Sequence, residues 1–405
     1  MMVEKMTAAF QKAEGGLFSK VLKADVGDTT AASKDGVTMM AWADPFFPSP
    51  STPEHVIHAT VEALESGTAS HYTQPIGNPR LKEEIAKKLQ KVNHLEVDPQ
   101  RNILITPGSD SGLFYAMLPF LHPGDEVMIP DPSYPNNVQN TEILGGIPVM
   151  VPLREEDGFQ IDVREFEKRL TNKTKMIVLT NPNNPTTTVF KRERLEALAE
   201  FAVKNDLVVV VDQAFEQPVF DGREMVTMAA LDGMWERTLT VFSLSKGMGL
   251  SGFRVGYLVT NEEVMDKLYG AAVSVLGATN TAAQIGAIAA LQDDRFLEEY
   301  GRRHEARRNM VYRLLKDVPG ILVRPSQSGI LTWINVAALG TGAEVAERVR
   351  QMAGVAVNAG IAYGPSGEHY IRIVHSVLGD DQQLEKAIQA LRNCLLQMAK
   401  EQGIT

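Results

Sequence analysis

Thr238-Leu-Thr-Val-Phe-Ser-Leu-Ser-Lys246-Gly-Met-Gly-Leu-Ser-Gly-Phe-Arg254-Val-Gly-Tyr257 begins as an apolar strand and runs into a lysine set among hydroxyls and glycines. A lysine amine forms a Schiff base with a carbonyl group. Ser243, Ser245 and Arg254 suit a phosphate, the arginine by charge-assisted hydrogen bonds and the serines as neutral donors. Gly247-x-Gly249-x-x-Gly252 also spells the dinucleotide-binding fingerprint. That motif needs a helix directly after its glycines, whereas residues 253–260 read as a further strand, so the dinucleotide reading is rejected.

Outward from this stretch the same grammar repeats. Apolar runs at 103–106, 127–130, 176–180 and 207–211 each end in a polar or glycine-bearing turn. The turns are Thr106-Pro-Gly108-Ser109-Asp110, Pro130-Asp-Pro-Ser-Tyr134-Pro, Asn181-Pro-Asn-Asn184-Pro-Thr and Asp212-Gln-Ala-Phe215. Helix-period segments lie between them, which is the alternation of a parallel α/β sheet, and such sheets bind ligands beyond the carboxyl ends of their strands. Ser51-Thr52-Pro53-Glu54 predicts a capping box opening a helix with Val56, Ile57, Val61 and Leu64 on one face and Gly67 as its stop. A second helix carries Leu81, Ile85, Leu89 and Val92.

Residues 281–317 read as helical, followed by strands at 330–336 and 370–374 and helices at 342–353 and from 381 onward. The expected fold class is α/β: a large domain with a mostly parallel sheet flanked by helices, plus a smaller α+β domain. Residues 1–50 are assigned to an N-terminal arm and the start of the small domain, 51–295 to the large domain and 296–405 to the C-terminal small domain.

A chain of 405 residues is long enough for two cores. Its net charge of −10 argues against a nucleic-acid or anionic-membrane partner, so an anionic ligand needs a local basic pocket. The single cysteine, Cys394, allows no intrachain disulfide and no multi-cysteine metal site, and no metal is expected. The start, MMVEKMTAAFQKAEGG, lacks an apolar signal core, and no run reaches the length of a membrane span, so the cytoplasm is the expected location.

Taken singly, the polar residues have plain readings. Lys246 is a solvated lysine, Asp212 a turn carboxylate, Asn184 part of a rigid Asn-Pro turn, Tyr134 and Tyr72 half-buried aromatics, and Arg372 an ion-pair partner in a strand. The functional alternative for Asp212 is an acid that keeps a pyridine nitrogen protonated, which makes the ring an electron sink.

Together these motifs resemble the class I/II aminotransferases of the fold-type I pyridoxal 5'-phosphate (PLP) enzymes. The resemblance runs from about residue 40 to the end. It rests on Tyr72-x4-Gly77-x3-Leu81, Thr106-Pro-Gly-Ser109, Pro132-Ser-Tyr134-Pro, Asn181-Pro-Asn-Asn184-Pro-Thr, Asp212-x-x-Phe215, Ser243-x-Ser245-Lys246-x7-Arg254 and Gly364-Pro-x-Gly367-x4-Arg372.

The resemblance implies that Lys246 carries PLP as a Schiff base and moves the substrate proton, with Asp212 as the partner of the ring nitrogen. It implies that Asn184 binds the ring hydroxyl and Tyr134 stacks on the ring. Gly108, Ser109 and Asp110 then sit at the phosphate-binding helix N-terminus, where backbone N–H groups and the helix dipole favour an anion. Ser243, Ser245 and Arg254 supply further phosphate contacts. Tyr72 reaches the cofactor across a homodimer interface. Arg372 clamps the substrate α-carboxylate in a bidentate fork, and Asn184 and Trp42 complete the substrate-binding set. The activity implied is transfer of an amino group between an L-amino acid and a 2-oxo acid. A PLP-dependent carbon–sulfur β-lyase or amino-acid oxidase uses the same motifs.

The chain departs from the family pattern at four places. Asp110 stands where a small hydroxyl residue is common and is expected to turn inward as a helix cap; Thr186-Thr-Thr188 replaces Thr-Gly; Ala43 replaces a glycine. Phe215 stands where the family has a tyrosine whose hydroxyl bonds the ring oxygen. Without that donor the deprotonated Schiff base is less stable and its pKa is raised. Phe215→Tyr is therefore expected to lower the pKa seen in a pH titration of the visible spectrum, and an unshifted value defeats the expectation.

Overall fold

The computed structural model describes residues 6–7, 10, 36–45, 47 and 51–404. Most of the N-terminal arm assigned to 1–50, including the start of the chain, lies outside the described residues. Strand β1 (Thr38–Met39) is followed by helices α1 (Glu54–Glu65) and α2 (Pro79–Lys88). Then come β2 (Ile103–Thr106), α3 (Ser109–Met117), β3 (Glu126–Asp131), α4 (Pro135–Ile143), β4 (Ile147–Pro152), α5 (Val163–Glu167), β5 (Thr174–Thr180), α6 (Arg192–Lys204), β6 (Val208–Asp212), β7 (Thr238–Ser243) and β8 (Gly256–Val259). These strands form one seven-stranded sheet in the order β2-β8-β7-β6-β5-β3-β4. All neighbours pair in parallel except β8, which runs against both β2 and β7.

Alternation along the central strands covers both faces of this sheet. Met128, Ile177, Leu179, Val209 and Val211 pack on one side with Leu195, Leu198 and Phe201 of α6. Val127, Ile129, Met176, Val178, Val210 and Val241 pack on the other with Leu113 and Ala116 of α3. The same period of two sends Thr180, Asp212 and Ser243, the last residues of β5, β6 and β7, toward the α3 side. Strand β4 was not foreseen. Its Pro148 and Pro152 argue against a strand, but β4 is the edge of the sheet, where a missing N–H removes no ladder bond.

Beyond the next two helices, which pack with the large sheet, the chain builds a second core. After α7 (Glu262–Val275), the helical stretch expected at 281–317 is two helices, α8 (Thr281–Gln292) and α9 (Phe296–Leu315). Strands β9 (Leu322–Val323) and β10 (Leu331–Asn335), helix α10 (Gly342–Ala353), β11 (Val355–Ala356), β12 (Asn358–Ala359), β13 (Tyr370–Val374) and α11 (Asp381–Glu401) follow. An antiparallel sheet β12-β13-β10-β9 buries Ile334, Ile371 and Ile373 against Val345 and Val349 of α10 and Leu384, Ile388 and Leu391 of α11. Strand β1 joins this region by pairing in parallel with β11.

The opening of α1 corrects the expected capping box. Pro53 is the N-cap and no side chain caps the helix, while the Ser51 hydroxyl instead donates to the Gly249 carbonyl at 3.3 Å. Val56 is buried, but Ile57, Val61 and Leu64 face outward. At the far end of α2, Lys88 is buried over the Phe242 ring and pairs with Glu216, which follows β6. Glu216 also accepts from Asn93 at 3.0 Å and Gln213 at 3.1 Å. Removing one member of such a pair leaves a desolvated charge. Lys88→Met is expected to cost about 3–5 kcal/mol, read as a lower thermal midpoint, and Lys88→Met combined with Glu216→Leu is expected to recover most of that loss.

Candidate active site

The strand ends on the α3 side open onto a cavity of about 420 Å³. Its wall includes Trp42, Asp44, Ser109, Asp110, Tyr134, Asn184, Asp212, Phe215, Ser243, Ser245, Lys246, Arg254 and Arg372. The stretch that leaves β7 and returns as β8 supplies Ser243, Ser245, Lys246, Ser251, Gly252 and Arg254 to this wall.

One end of the cavity is built for an anion. Gly108 caps α3 at φ 81°, a conformation that favours glycine, and a Cβ there would lie 2.2 Å from Arg254 Nη2. A Cβ on Gly256 would meet the Gly108 carbonyl carbon and the Ser109 nitrogen, both at 2.7 Å. Two glycines thus let β8 and the first turn of α3 touch, which seats the Arg254 guanidinium against the helix N-terminus. Free N–H groups, the positive end of the helix dipole and a guanidinium then converge on one spot. Asp110 does not cap the helix, contrary to expectation. Its carboxylate accepts from Tyr134 Oη at 2.8 Å and Asn136 Nδ2 at 3.1 Å, because both donors project from the start of α4 toward the first turn of α3. It also stands 3.9 Å from Arg254 Nη2.

In the middle of the cavity, Asp212 is shut away from bulk water and held by the Ala214 N–H at 3.1 Å and Thr180 Oγ1 at 3.4 Å. Burial pushes its carboxyl up to about 7. Full ionisation there calls for a positive charge laid against it. Phe215 packs on Gly329, whose φ of 69° and missing Cβ make room for the ring.

At the other end, Lys246 Nζ donates to the Ala43 carbonyl, and burial holds its pKa below the ordinary lysine range in spite of Asp44 and Asp110. A neutral amine is the nucleophilic form. Arg372, on β13, is 1% exposed. Its Nε and Nη2 donate to Asn358 Oδ1 at 3.2 and 2.7 Å, Nη2 also to the Ala41 carbonyl at 2.9 Å, and Nη1 to Asn184 Oδ1 at 3.0 Å. The Tyr363 ring lies 4.8 Å away on its face. Among the described residues no carboxylate pairs with this guanidinium, so its charge is satisfied by neutral oxygens alone.

The structure therefore brings together every expected site residue except one, with Gly108 just behind the wall. Tyr72 is 97% exposed and lies outside the cavity. Sequence reasoning missed Asp44, Ala214, Ser251 and Gly252 on the wall, and Asn358 behind Arg372. Ser251 and Gly252 lie within the opening stretch itself, and Asp44 is two residues from Trp42; nothing local marks Asn358.

The family model for aminotransferase class I and II matches residues 39–391. The chain belongs to the class I and II aminotransferases. An aspartate aminotransferase of Pyrococcus abyssi is 34% identical over 91% of this aminotransferase and 94% of that protein. An LL-diaminopimelate aminotransferase of Dehalococcoides mccartyi is 31% identical over 89% of this chain and 92% of its own. A solved aromatic aminotransferase from Pyrococcus horikoshii superposes with a TM-score of 0.84 at 31% identity, covering 91% of this chain and 96% of that one. The enzyme is accordingly a transaminase.

The close approach of β8 to α3 is open to test. Gly256→Ala drives a Cβ into the backbone of residues 108 and 109 and is expected to weaken binding of a phosphate-bearing ligand about 100-fold, measured by fluorescence titration. Unchanged binding would show that the contact does not shape the anion end.

Proposed function

We propose that this aminotransferase holds PLP in the cavity between Arg254 and Arg372 and moves an amino group between an L-amino acid and a 2-oxo acid. The observation that carries the reading is the buried Arg372 guanidinium without an acidic partner, facing the same cavity as a neutral-leaning lysine and a glycine-shaped anion cradle. The cradle of Gly108, Ser109, Ser243, Ser245 and Arg254 suits the phosphate, and Asp212 suits the ring nitrogen. Asn184 would hold the ring hydroxyl, Tyr134 would stack on the ring, and Phe215 would stand near the ring oxygen without donating to it. When bound, PLP supplies a carbonyl carbon for the substrate amine and a cationic ring that draws electron density from the Cα–H bond.

The chain's own residues do the rest. Arg372 binds the α-carboxylate through the Nη1 edge, since Asn358 and Ala41 engage Nε and Nη2. Asn184 accepts from Nη1 and keeps its amide N–H groups for the ligand. Lys246 Nζ, whose pKa burial lowers, would take the proton from the substrate Cα and deliver it to the cofactor carbon that receives the amino group. Asp212, ionised against the ring cation, stabilises the positive charge on which that proton's acidity depends. Trp42 and Ala43 border the substrate.

Tyr72 supports a homodimer: it is nearly fully exposed, and the apolar residues Ile57, Val61, Leu64, Val273 and Val275 are exposed as well. In a dimer it would serve the second copy's cavity. The two separate cores support division at 51–295 and 296–405, with residues 38–39 joining the smaller unit through β11. A cytoplasmic setting suits a chain whose only cysteine, Cys394, is free and buried.

Purified protein with added PLP is expected to show a visible absorption band that an amino acid converts to the pyridoxamine form. Lys246→Ala is expected to abolish both band and turnover. Arg372→Gln is expected to raise KM about 100-fold while leaving the band in place. A Lys246→Ala variant that still turns over overturns the assignment.

A further inference from the structure

One buried carboxylate lies outside the cavity wall and has no part in the reading above. Asp131, the last residue of β3, is 4% exposed, and among the described residues no cation pairs with it. A carboxylate taken out of water needs donors. Both of its oxygens are served by one residue of the smaller unit: the Ser366 N–H lies 3.2 Å from Oδ1 and 3.1 Å from Oδ2, and the Ser366 hydroxyl donates to Oδ2 at 2.7 Å. A glycine makes room for this contact. Gly364 holds a φ of 125°, and a Cβ on it would stand 2.1 Å from Asp131 Oδ1.

The turn held in this way carries Tyr363. Its other end is fixed as well, since the Ser133 N–H donates to the Tyr363 carbonyl at 2.8 Å. The Tyr363 side chain is buried, edge-on to Trp333 at 5.8 Å, and its ring lies 4.8 Å from the Arg372 guanidinium. Asn358, Ala41 and Asn184 take hydrogen bonds from the edges of that guanidinium, whereas Tyr363 covers a face, where an aromatic ring attracts a cation. A continuous path therefore runs from Asp131 through Ser366 and Tyr363 to Arg372. The loop that starts it ends at Tyr134 on the cavity wall, and its Pro132 carbonyl accepts from Asn183 Nδ2 at 3.2 Å, beside Asn184.

We propose that Asp131 is a positioning residue for the substrate carboxylate: by holding Ser366 it keeps the Tyr363 ring on the face of Arg372, so that the guanidinium stays aimed into the cavity. The proposal rests on Arg372 receiving that carboxylate. It assigns Asp131 to the affinity for substrate and not to the affinity for PLP.

A 2-oxo acid carries the carboxylate but no amine to react with PLP, so its binding to the PLP-loaded enzyme reports the carboxylate site alone. Pyruvate, 2-oxoglutarate and phenylpyruvate are titrated into wild type by calorimetry, and the tightest binder serves as the probe. Asp131→Ala and Tyr363→Leu are each expected to raise its Kd about 10-fold, with PLP affinity by fluorescence titration within about 2-fold of the parent. Asp131→Asn keeps an acceptor for the Ser366 N–H and is expected to restore most of the loss. The double variant Asp131→Ala, Tyr363→Leu is expected to be no worse than either single one, because the carboxylate acts through the ring. Should Asp131→Ala not fold, Ser366→Ala replaces it in the same cycle, with an expected rise of about 3-fold. A Kd unmoved by these variants, additive losses in the double variant, or an equal loss of PLP affinity overturns the proposal. If none of the three acids binds wild type while PLP does, the assignment of Arg372 fails and the proposal falls with it.

Discussion

A guanidinium taken out of water without a carboxylate beside it is an unfinished electrostatic arrangement, and Arg372 is in that condition. Its acceptors are spread over a side chain on β12, a carbonyl ahead of α1 and an amide on the turn after β5. Three distant parts of the chain are thus drawn to one cation. Their neutral oxygens orient the group without neutralising it, so the net charge stays available to an incoming anion. The smaller sheet is placed where it is so that β13 can deliver this residue over the strand ends of the larger one.

The larger sheet contributes the complementary constraint. Parallel strands finish together, and side chains on alternate positions share a face, so Thr180 lies opposite Asp212, and Ser243 projects from the same face two residues beyond Asp212's partner Val241. Burial on both faces dries out this floor. A dry floor raises Asp212 and lowers Lys246 by the same mechanism, disfavouring charge on each until a ligand supplies it.

Much of this was legible in the chain. The strands rich in valine, isoleucine and leucine announced themselves because a doubly covered sheet needs unbroken apolar runs, and the turns after them carried the chemistry. What escaped depended on partners far away in sequence. Strand β4 hid behind its prolines, which only its edge position excuses. Ser51 looked like a helix cap, yet its hydroxyl is drawn to Gly249 and its carbonyl to Tyr300, almost two hundred residues and more along the chain. The apolar stripe expected on α1 is split, with Val56 turned into the core and Ile57, Val61 and Leu64 facing outward, since periodicity does not say which way a face points. Asp110 was placed at the right helix end with the wrong partner, since the hydroxyl of Tyr134 reaches it from another helix. Thr187 holds a left-handed φ of 63° that a glycine would occupy at no cost. Its carbonyl accepts from Ser328 and its hydroxyl from the Gln327 N–H.

Strand β8 is the one member of the large sheet that turns back. Because it does, Lys246 and Arg254 are carried on a single connection, residues 244–255, whose two ends are fixed by adjacent strands. The amine and the guanidinium are therefore both anchored on one short piece of chain in the larger sheet, rather than brought together across the two sheets.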